Sequence, residues 1–293
     1  MNKKKIQTEY IKKIQKLIKL NEYYYAYSEP KVNDSIYDLL KKDILSLENR
    51  YNFLKHEYSP SQTVGFKPSK NFKKVLHKVP MLSLSNAFDE EDLFNFQKRI
   101  INFLNKKEGV EIEYSAEPKI DGISASLIYK NGKFLTGLSR GDGKEGEDIT
   151  ENLKTIIDIP HDIKAKDFPE QIDIRGEVFI QNSDFKKLSN KFANPRNAAS
   201  GCLRQKNPNE TKKIPLKFIA YTFGYEKNMH LSNQKEYLKK LSEWGFKTNP
   251  LNKILIGIKN LIKNYKDIEK KRGLLNFDID GIVYKVNDFT LQK

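Results

Sequence analysis

Between residues 3 and 20 the apolar positions Ile6, Tyr10, Ile14, Leu17 and Ile18 recur at helical spacing, with Lys3, Lys4, Lys5, Lys12, Lys13, Lys16 and Lys19 largely opposite them. The spacing predicts an amphipathic helix packed on a partner element. A tyrosine-rich stretch from Glu22 to Pro30 ends it, and Asn33 or Asp34 is placed to cap a second helix carrying Ile36, Leu39, Leu40, Ile44 and Leu45. With Asp34 as the cap, Tyr37 and Asp38 fall in the first turn and face what the helix start faces. Tyr23 and Tyr27 are expected in the core, whereas two acids and an aromatic at a helix opening suit a small cationic ring. Residues 56 to 80 lack periodicity and carry Pro60, Gly65 and Pro68, so a domain boundary is expected there.

Asp89 then opens a helix containing Leu93, Phe96, Ile100, Phe103 and Leu104, which Gly109 is expected to end. From residue 111 the period changes to that of strands. Asn131-Gly132, between two apolar runs, predicts a hairpin. Further strands are expected at 172 to 180, 216 to 225 and 279 to 286, with helices near 183 to 191, 233 to 243 and 258 to 271. Hairpins and strands with helices between them, rather than regular βαβ units, predict an α+β chain of largely antiparallel sheets.

One strand-like stretch, Ser115-Ala116-Glu117-Pro118-Lys119-Ile120-Asp121-Gly122, sets a lysine between two carboxylates. Alternation along a strand sends Glu117, Lys119 and Asp121 into one pocket. A single ion pair would satisfy a buried lysine, so the second acid suggests an amine positioned for chemistry. Two anions hold it protonated, however, and near neutral pH only about one lysine in a thousand carries the neutral amine that a nucleophile requires. A metal or further basic residues must therefore offset the acids. Taken alone, the stretch also reads as an exposed turn after a strand.

Composition narrows the picture. The 293 residues hold 53 basic and 38 acidic side chains, a net charge of +15 that suits a polyanion but also a solvated lysine surface. Cys202 is the only cysteine, which excludes a disulfide framework and a cysteine-based zinc site. The four histidines, His56, His77, His161 and His230, stand singly and read as structural. No apolar run approaches the roughly 20 residues of a membrane span, and the lysine-rich start lacks the apolar core of a signal peptide, so a cytoplasmic location is expected.

Four later segments share the oddity of charges set in strand or turn sequence beside glycine: Arg140-Gly141-Asp142-Gly143, Arg175-Gly176-Glu177, Asn194 to Arg204, and Asp278 to Lys285. Lys285 is placed to return to the pocket of Lys119. Each segment alone is an ordinary turn; in this order, with Tyr24-Tyr25, Asp34, Tyr37, Asp38 and Met81-Leu82-Ser83-Leu84, the set resembles the adenylation region of the bacterial NAD-dependent DNA ligases. The Lys119 and Lys285 segments would carry membership of the covalent nucleotidyltransferases, and the N-terminal helical part the choice of NAD.

The resemblance implies a helical module over 1–70 that binds the nicotinamide mononucleotide half, followed by an ATP-grasp-like nucleotidyltransferase domain over 71–293. Lys119 would attack the adenylyl phosphorus of NAD. Glu117 would read the adenine amino group, Ser83 and Leu84 would contact the adenine region, and Arg140 and Glu177 would hold the ribose. Asp121 would belong to the cofactor site, Lys285 would neutralise the phosphate, and Tyr24, Tyr25, Asp34, Tyr37 and Asp38 would hold the departing half. Arg196, Arg204 and Arg272 match arginines that meet phosphates of the cofactor or of nicked double-stranded DNA. Magnesium is implied as the metal, with no ligands assigned, and a monomer acting in replication and repair is expected. Ser28 departs from the family's usual aspartate. The family continues past the Lys285 strand with a barrel, a zinc module and helical and phosphopeptide-type modules, so the 293 residues are expected to be a fragment or a short relative that is adenylylated yet poor at sealing nicks. An ATP- or GTP-dependent RNA ligase or capping-type enzyme is the enzymatic alternative, without use for the Tyr24 to Asp38 segment. A decayed basic nucleic-acid-binding module is the other, free to lose Lys119, Glu177 or Lys285.

Overall fold

A computed structural model describes residues 3–23, 32, 34–62, 72–107, 109–188 and 192–292. The elements, in chain order, are helices α1 (Lys3–Asn21) and α2 (Asp34–Arg50), strand β1 (Lys74–Leu76), α3 (Glu90–Phe103), β2 (Glu113–Ile120), β3 (Ile123–Lys130), β4 (Lys133–Ser139), β5 (Glu145–Glu147), α4 (Thr150–Leu153), β6 (Gln171–Ile180), α5 (Asn182–Phe185), α6 (Pro195–Leu203), α7 (Pro208–Lys212), β7 (Leu216–Lys227), α8 (Gln234–Glu243), β8 (Lys253–Ile256), α9 (Ile258–Lys271) and β9 (Ile279–Val286). The fold is α+β, helical at its start and built of antiparallel sheets thereafter. Two compact units share it: Met1–Ser83 with Leu138–Asp148, and Leu84–Gly137 with Ile149–Lys293. The boundary expected near residue 70 lies outside the described residues.

In the first unit α1 buries Ile6, Tyr10, Ile14, Leu17 and Leu20 against Leu40, Ile44 and Leu54. The Tyr10 hydroxyl donates to Glu48 at 2.6 Å and Lys13 pairs with Asp43 at 2.9 Å, which joins the helices at their rim. The stripe on α2 is narrower than its sequence suggests. Leu40 and Ile44 face the core, with Tyr37 and Leu47 half-buried beside them, while Leu39 and Leu45 lie a third of a turn off this line and Ile36 lies in the first turn, and all three are exposed. Tyr23, expected in the core, is 37% exposed just past the end of α1, and Tyr27 lies outside the described residues.

The second unit contains two antiparallel sheets, β8-β2-β9 and β4-β3-β6-β7. Helices α3 and α9 cover one face of the smaller sheet through Ile101, Ile112, Tyr114, Ile258 and Leu261, joined by Phe96, Tyr284 and Val286. Alternation then sends Ser115, Glu117 and Lys119 to the opposite face. Asp89 caps α3 by accepting from the Asp92 amide at 2.8 Å. The helix stops at Phe103, not at Gly109, because Asn105 takes a left-handed φ of 49° and breaks the backbone ladder first. Phe103 is consequently exposed and Ile101 fills the core position. The Asn131-Gly132 turn has φ of 50° and 75°, the primed geometry that suits strand twist. The helix expected over 183 to 191 is the single turn α5; residues 189 to 191 lie outside the described residues. Segment 194–204, read as turn, is helix α6. Asn194 caps it through the Asn197 amide at 2.7 Å, and Pro195 at its first position supplies a helical φ.

Tyr114 is fully buried and no hydrogen-bond partner is recorded for its hydroxyl among the described residues. Burial pushes its phenol, and that of Tyr284 on the neighbouring strand, up to about 12. An acid whose folded pKa lies above its unfolded value stabilises fully below the unfolded value near 10, and the stability is lost as pH rises toward 12. Tyr114→Phe should therefore raise stability at neutral pH by about 1 kcal/mol, the cost of an unsatisfied buried hydroxyl. The gain should grow between pH 10 and 12, as read from urea unfolding across that range.

Candidate active site

Lys119 lies at the end of β2, where the pairing with β9 shifts register between Lys119 and Ile120. Asp121 and Gly122 then join β2 to β3, and the chain so passes from the smaller sheet to the larger. Gly122 makes that crossing possible. A Cβ there would stand 2.4 Å from the Val178 carbonyl oxygen and 2.9 Å from Glu177 Cγ, which brings Glu177 of β6 beside the turn. The Ser124 hydroxyl donates to Glu177 at 3.1 Å.

The charges pair differently from the arrangement that spacing suggests. Lys119 is not buried between Glu117 and Asp121: its side chain is 44% exposed, and Nζ donates to Asp280 Oδ2 at 2.5 Å. Asp121 is held instead by Arg196 of α6 at 2.6 Å. Glu117, only 5% exposed at its side chain, pairs with Lys285 at 2.8 Å. The basic residues required to offset the two acids are thus Arg196 and Lys285. Alternation no longer governs Asp121, because the register shifts between Lys119 and Ile120 and the strand ends at Ile120, before it.

Glu117 anchors a buried network. Its Oε1 accepts from Ser115 Oγ at 2.8 Å and from Gln234 Nε2 at 2.9 Å, and its Oε2 from Lys285 Nζ. Gln234 and Lys285 both also donate to the Tyr221 carbonyl, at 2.7 and 3.0 Å, and the lysine lies 5.4 Å from the centre of the Tyr221 ring. Alongside runs a second buried set. Arg175 pairs with Asp173 at 3.0 Å, Ser126 donates to Asp173, and the Tyr237 hydroxyl donates to the Thr222 carbonyl at 3.1 Å. Burial, then the Asp173 charge, pushes the Tyr237 phenol well above its ordinary range; Arg175 opposes this and Glu117 adds to it. Gly224 leaves room for the pair, since a Cβ would fall 2.2 Å from Asp173 Oδ2.

The remaining expected site residues divide between the units. Arg204 is half-buried at the C-terminal cap of α6, and Arg272 is exposed at a 3₁₀ turn after α9. Leu84 is exposed in the second unit. In the first unit, Arg140 opens a turn whose Gly141 and Gly143 have φ of 57° and 88°; its carbonyl accepts from the Gly143 amide at 3.0 Å, and the Met81 amide donates to the Gly143 carbonyl at 2.8 Å. This docks the segment ending in the exposed Ser83 beside the turn. Tyr37 is occupied within its own helical pair: its hydroxyl donates to Asn21 at 2.6 Å, and Lys41 Nζ lies 5.3 Å from its ring centre. Asp38 is half-buried one residue on. Asp34 begins α2; its side chain, the other candidate cap Asn33, and Tyr24 and Tyr25 lie outside the described residues.

Two sequence models match the chain: the NAD-dependent DNA ligase adenylation domain over residues 69–293, and the DNA ligase-like, N-terminal NAD+-binding domain over residues 3–65. The chain belongs to the NAD-dependent DNA ligase adenylation family. A DNA ligase of Pelagibacter ubique is 66% identical over 293 residues, covering 100% of this chain and 43% of the relative. DNA ligases of Parvibaculum lavamentivorans and Rickettsia massiliae are 47% and 46% identical, covering 92% and 94% of this chain and 39% and 41% of their own lengths. The chain therefore spans about two fifths of these relatives. A distant likeness joins it to the ATP-dependent DNA ligase from bacteriophage T7 in complex with ATP, with a TM-score of 0.39 and 16% identity over 73% of this chain and 64% of that one.

Asp280, Gln234 and Ser115 were not singled out from the sequence as site residues. Asp280 carried a signal, an acid beside Gly281 opposite Lys119 in a lysine-bearing strand. Gln234 carried none, since an amide at a helix start reads as a solvated residue. Lys285→Met should leave the Glu117 carboxylate buried without its cation and cost about 3 kcal/mol. The double variant with Glu117→Gln should recover about half of that, as measured by urea unfolding of both variants beside wild type.

Proposed function

We propose that this chain transfers AMP from NAD to Lys119, the activating step of DNA nick sealing. The observation that carries the reading is the pairing pattern: the Lys119 amine faces solvent while both neighbouring acids are neutralised by Arg196 and Lys285. Among the described residues Asp280 alone pairs with the ammonium, and on this reading it takes the first proton. The amine nitrogen then forms a bond to the adenylyl phosphorus as the phosphorus–oxygen bond to nicotinamide mononucleotide breaks. A second proton leaves the nitrogen as the phosphoramide forms, balancing the charge that departs on the mononucleotide phosphate.

On this reading Glu117, Ser83 and Leu84 meet adenine, Arg140 and Glu177 the ribose, and Lys285 and Arg272 the phosphates, with Asp121 orienting Arg196. Residues 1–70 act as the mononucleotide-binding module through Tyr24, Tyr25, Asp34, Tyr37 and Asp38, and residues 71–293 as the nucleotidyltransferase domain. Arg196 and Arg204 meet phosphates of nicked duplex DNA. Among the described residues no group of three or more His, Cys, Asp or Glu is arranged to hold a metal ion. With Asp121 and Glu117 committed to cations, the donor set suits a magnesium carried in on the phosphates of NAD, where it would neutralise charge developing on phosphorus. No described helix is long and apolar enough to cross a membrane, and the reading places the chain in the cytoplasm as a monomer.

Incubation with magnesium and NAD should add the mass of one AMP to the protein, and ATP should add none; the reverse preference would favour the ATP-dependent alternative. Lys119→Arg should fold normally and form no adduct, because guanidinium stays protonated at any workable pH. Tyr37→Ala and Asp38→Ala should slow adduct formation from NAD at least tenfold while sparing the attack of pyrophosphate on adduct already formed. Equal losses in the two assays would make both residues structural.

A further inference from the structure

We infer that Gln234 is a positioning residue that sets the preference of this site for a 6-aminopurine over a 6-oxopurine. The inference rests on the adenylylation reading above for the role of Glu117 toward the base. Gln234 is 1% exposed and opens α8, yet its amide points away from solvent. The helix start is fastened on three sides: Asn233 caps it through the Glu236 amide at 2.9 Å, the Gln234 amide N–H donates to the Asn287 carbonyl at 2.8 Å, and the Lys235 amide donates to Asn287 Oδ1 at 3.0 Å. Asn287 is itself tied to β2, its backbone amide donating to the Glu113 carbonyl at 2.8 Å. A side chain at this point has little freedom to leave.

From there Nε2 bridges Glu117 Oε1 and the Tyr221 carbonyl at 2.9 and 2.7 Å. Lys285 bridges the same residue pair through Oε2 at 2.8 Å and the carbonyl at 3.0 Å. Two donors and two acceptors close a ring that ties β2, β7, β9 and α8 together, and Ser115 adds a third donor on Oε1. A carboxylate has about four acceptor directions. Ser115 and Gln234 fill both on Oε1 and Lys285 fills one on Oε2, which among the described residues leaves one direction on Oε2 without a donor, the direction the inference gives to the base. An acceptor fixed in this way favours an amino group and repels a carbonyl oxygen. Removing Gln234 frees Glu117 to rotate about its last torsion and to turn Oε2 away from Lys285, which loosens the lysine. The lysine can then donate to a 6-oxo group, and discrimination falls.

The test is the ratio of AMP to IMP affinity, measured by calorimetry on the 293-residue chain, beside adduct formation from NAD and from nicotinamide hypoxanthine dinucleotide. Gln234→Met, close in shape but without donors, should lower both ratios at least tenfold, with a thermal midpoint that shows it folded. Gln234→His, which keeps an N–H donor, should stay within about threefold of wild type. Wild-type ratios in folded Gln234→Met, or a collapsed ratio in folded Gln234→His, would overturn the inference; if Gln234→Met does not fold, Gln234→His decides alone. Absence of any adduct in wild type, with the AMP preference intact and sensitive to Gln234, would instead count against the adenylylation reading and leave this inference standing.

Discussion

A carboxylate buried to 5% exposure has to be given donors or lose its charge, and in this chain the constraint falls on Glu117. Its partners come from four places in the sequence: Ser115 two residues away, Lys285 on β9, Gln234 at the start of α8, and, through the donors it shares, the Tyr221 carbonyl of β7. No one of these contacts spans much of the fold. Together they fasten the polar face of the three-stranded sheet to an edge strand of the four-stranded one, at the place where β7 and α8 lie close. Helices α3 and α9 occupy the other face of the smaller sheet, so the polar side chains gather on the face they leave.

The same neutralisation determines which lysine is available. Lys119 and Lys285 lie on adjacent strands, yet Lys285 is committed to Glu117 while Lys119 projects toward solvent with Asp280 as its restraint. Arg196 performs for Asp121 what Lys285 performs for Glu117, and it does so from α6, a helix whose cap and proline start place the arginine within its first turn. The cations that take Glu117 and Asp121 come from elements remote in sequence, and they leave Asp280 as the acid paired with Lys119.

Backbone geometry carries the rest of the arrangement. Gly122 lets the chain move between sheets without striking Val178, and Gly141 lets the Arg140 turn close against Glu145, whose carbonyl oxygen would stand 1.9 Å from a Cβ. In the helical unit, the hydroxyl of Tyr37 is bonded to Asn21 and a lysine flanks its ring. A residue read as a ligand contact is therefore also part of the packing between α1 and α2.

Much of this was determined by local sequence. The α1 stripe, the Asn131-Gly132 hairpin, the strands β6, β7 and β9 and the helices α8 and α9 all follow from period and turn chemistry, which act over a few residues and leave a mark at fixed spacing. The order of the charged segments was enough to show the family resemblance, and with it the roles that the resemblance implies for Lys119, Glu117 and Lys285. Tertiary structure alone decided the pairing. That Asp280 rather than Glu117 holds Lys119, that Arg196 takes Asp121, and that Gln234 enters the site depends on strand register, a bulge at Lys119 and the docking of α8. The sequence separations, 161, 75 and 117 residues, leave no periodic trace. The α6 helix and the early end of α3 were missed for a related reason: a capped proline start and one left-handed asparagine outweigh the apolar pattern, which is too short in the first case and continues too far in the second.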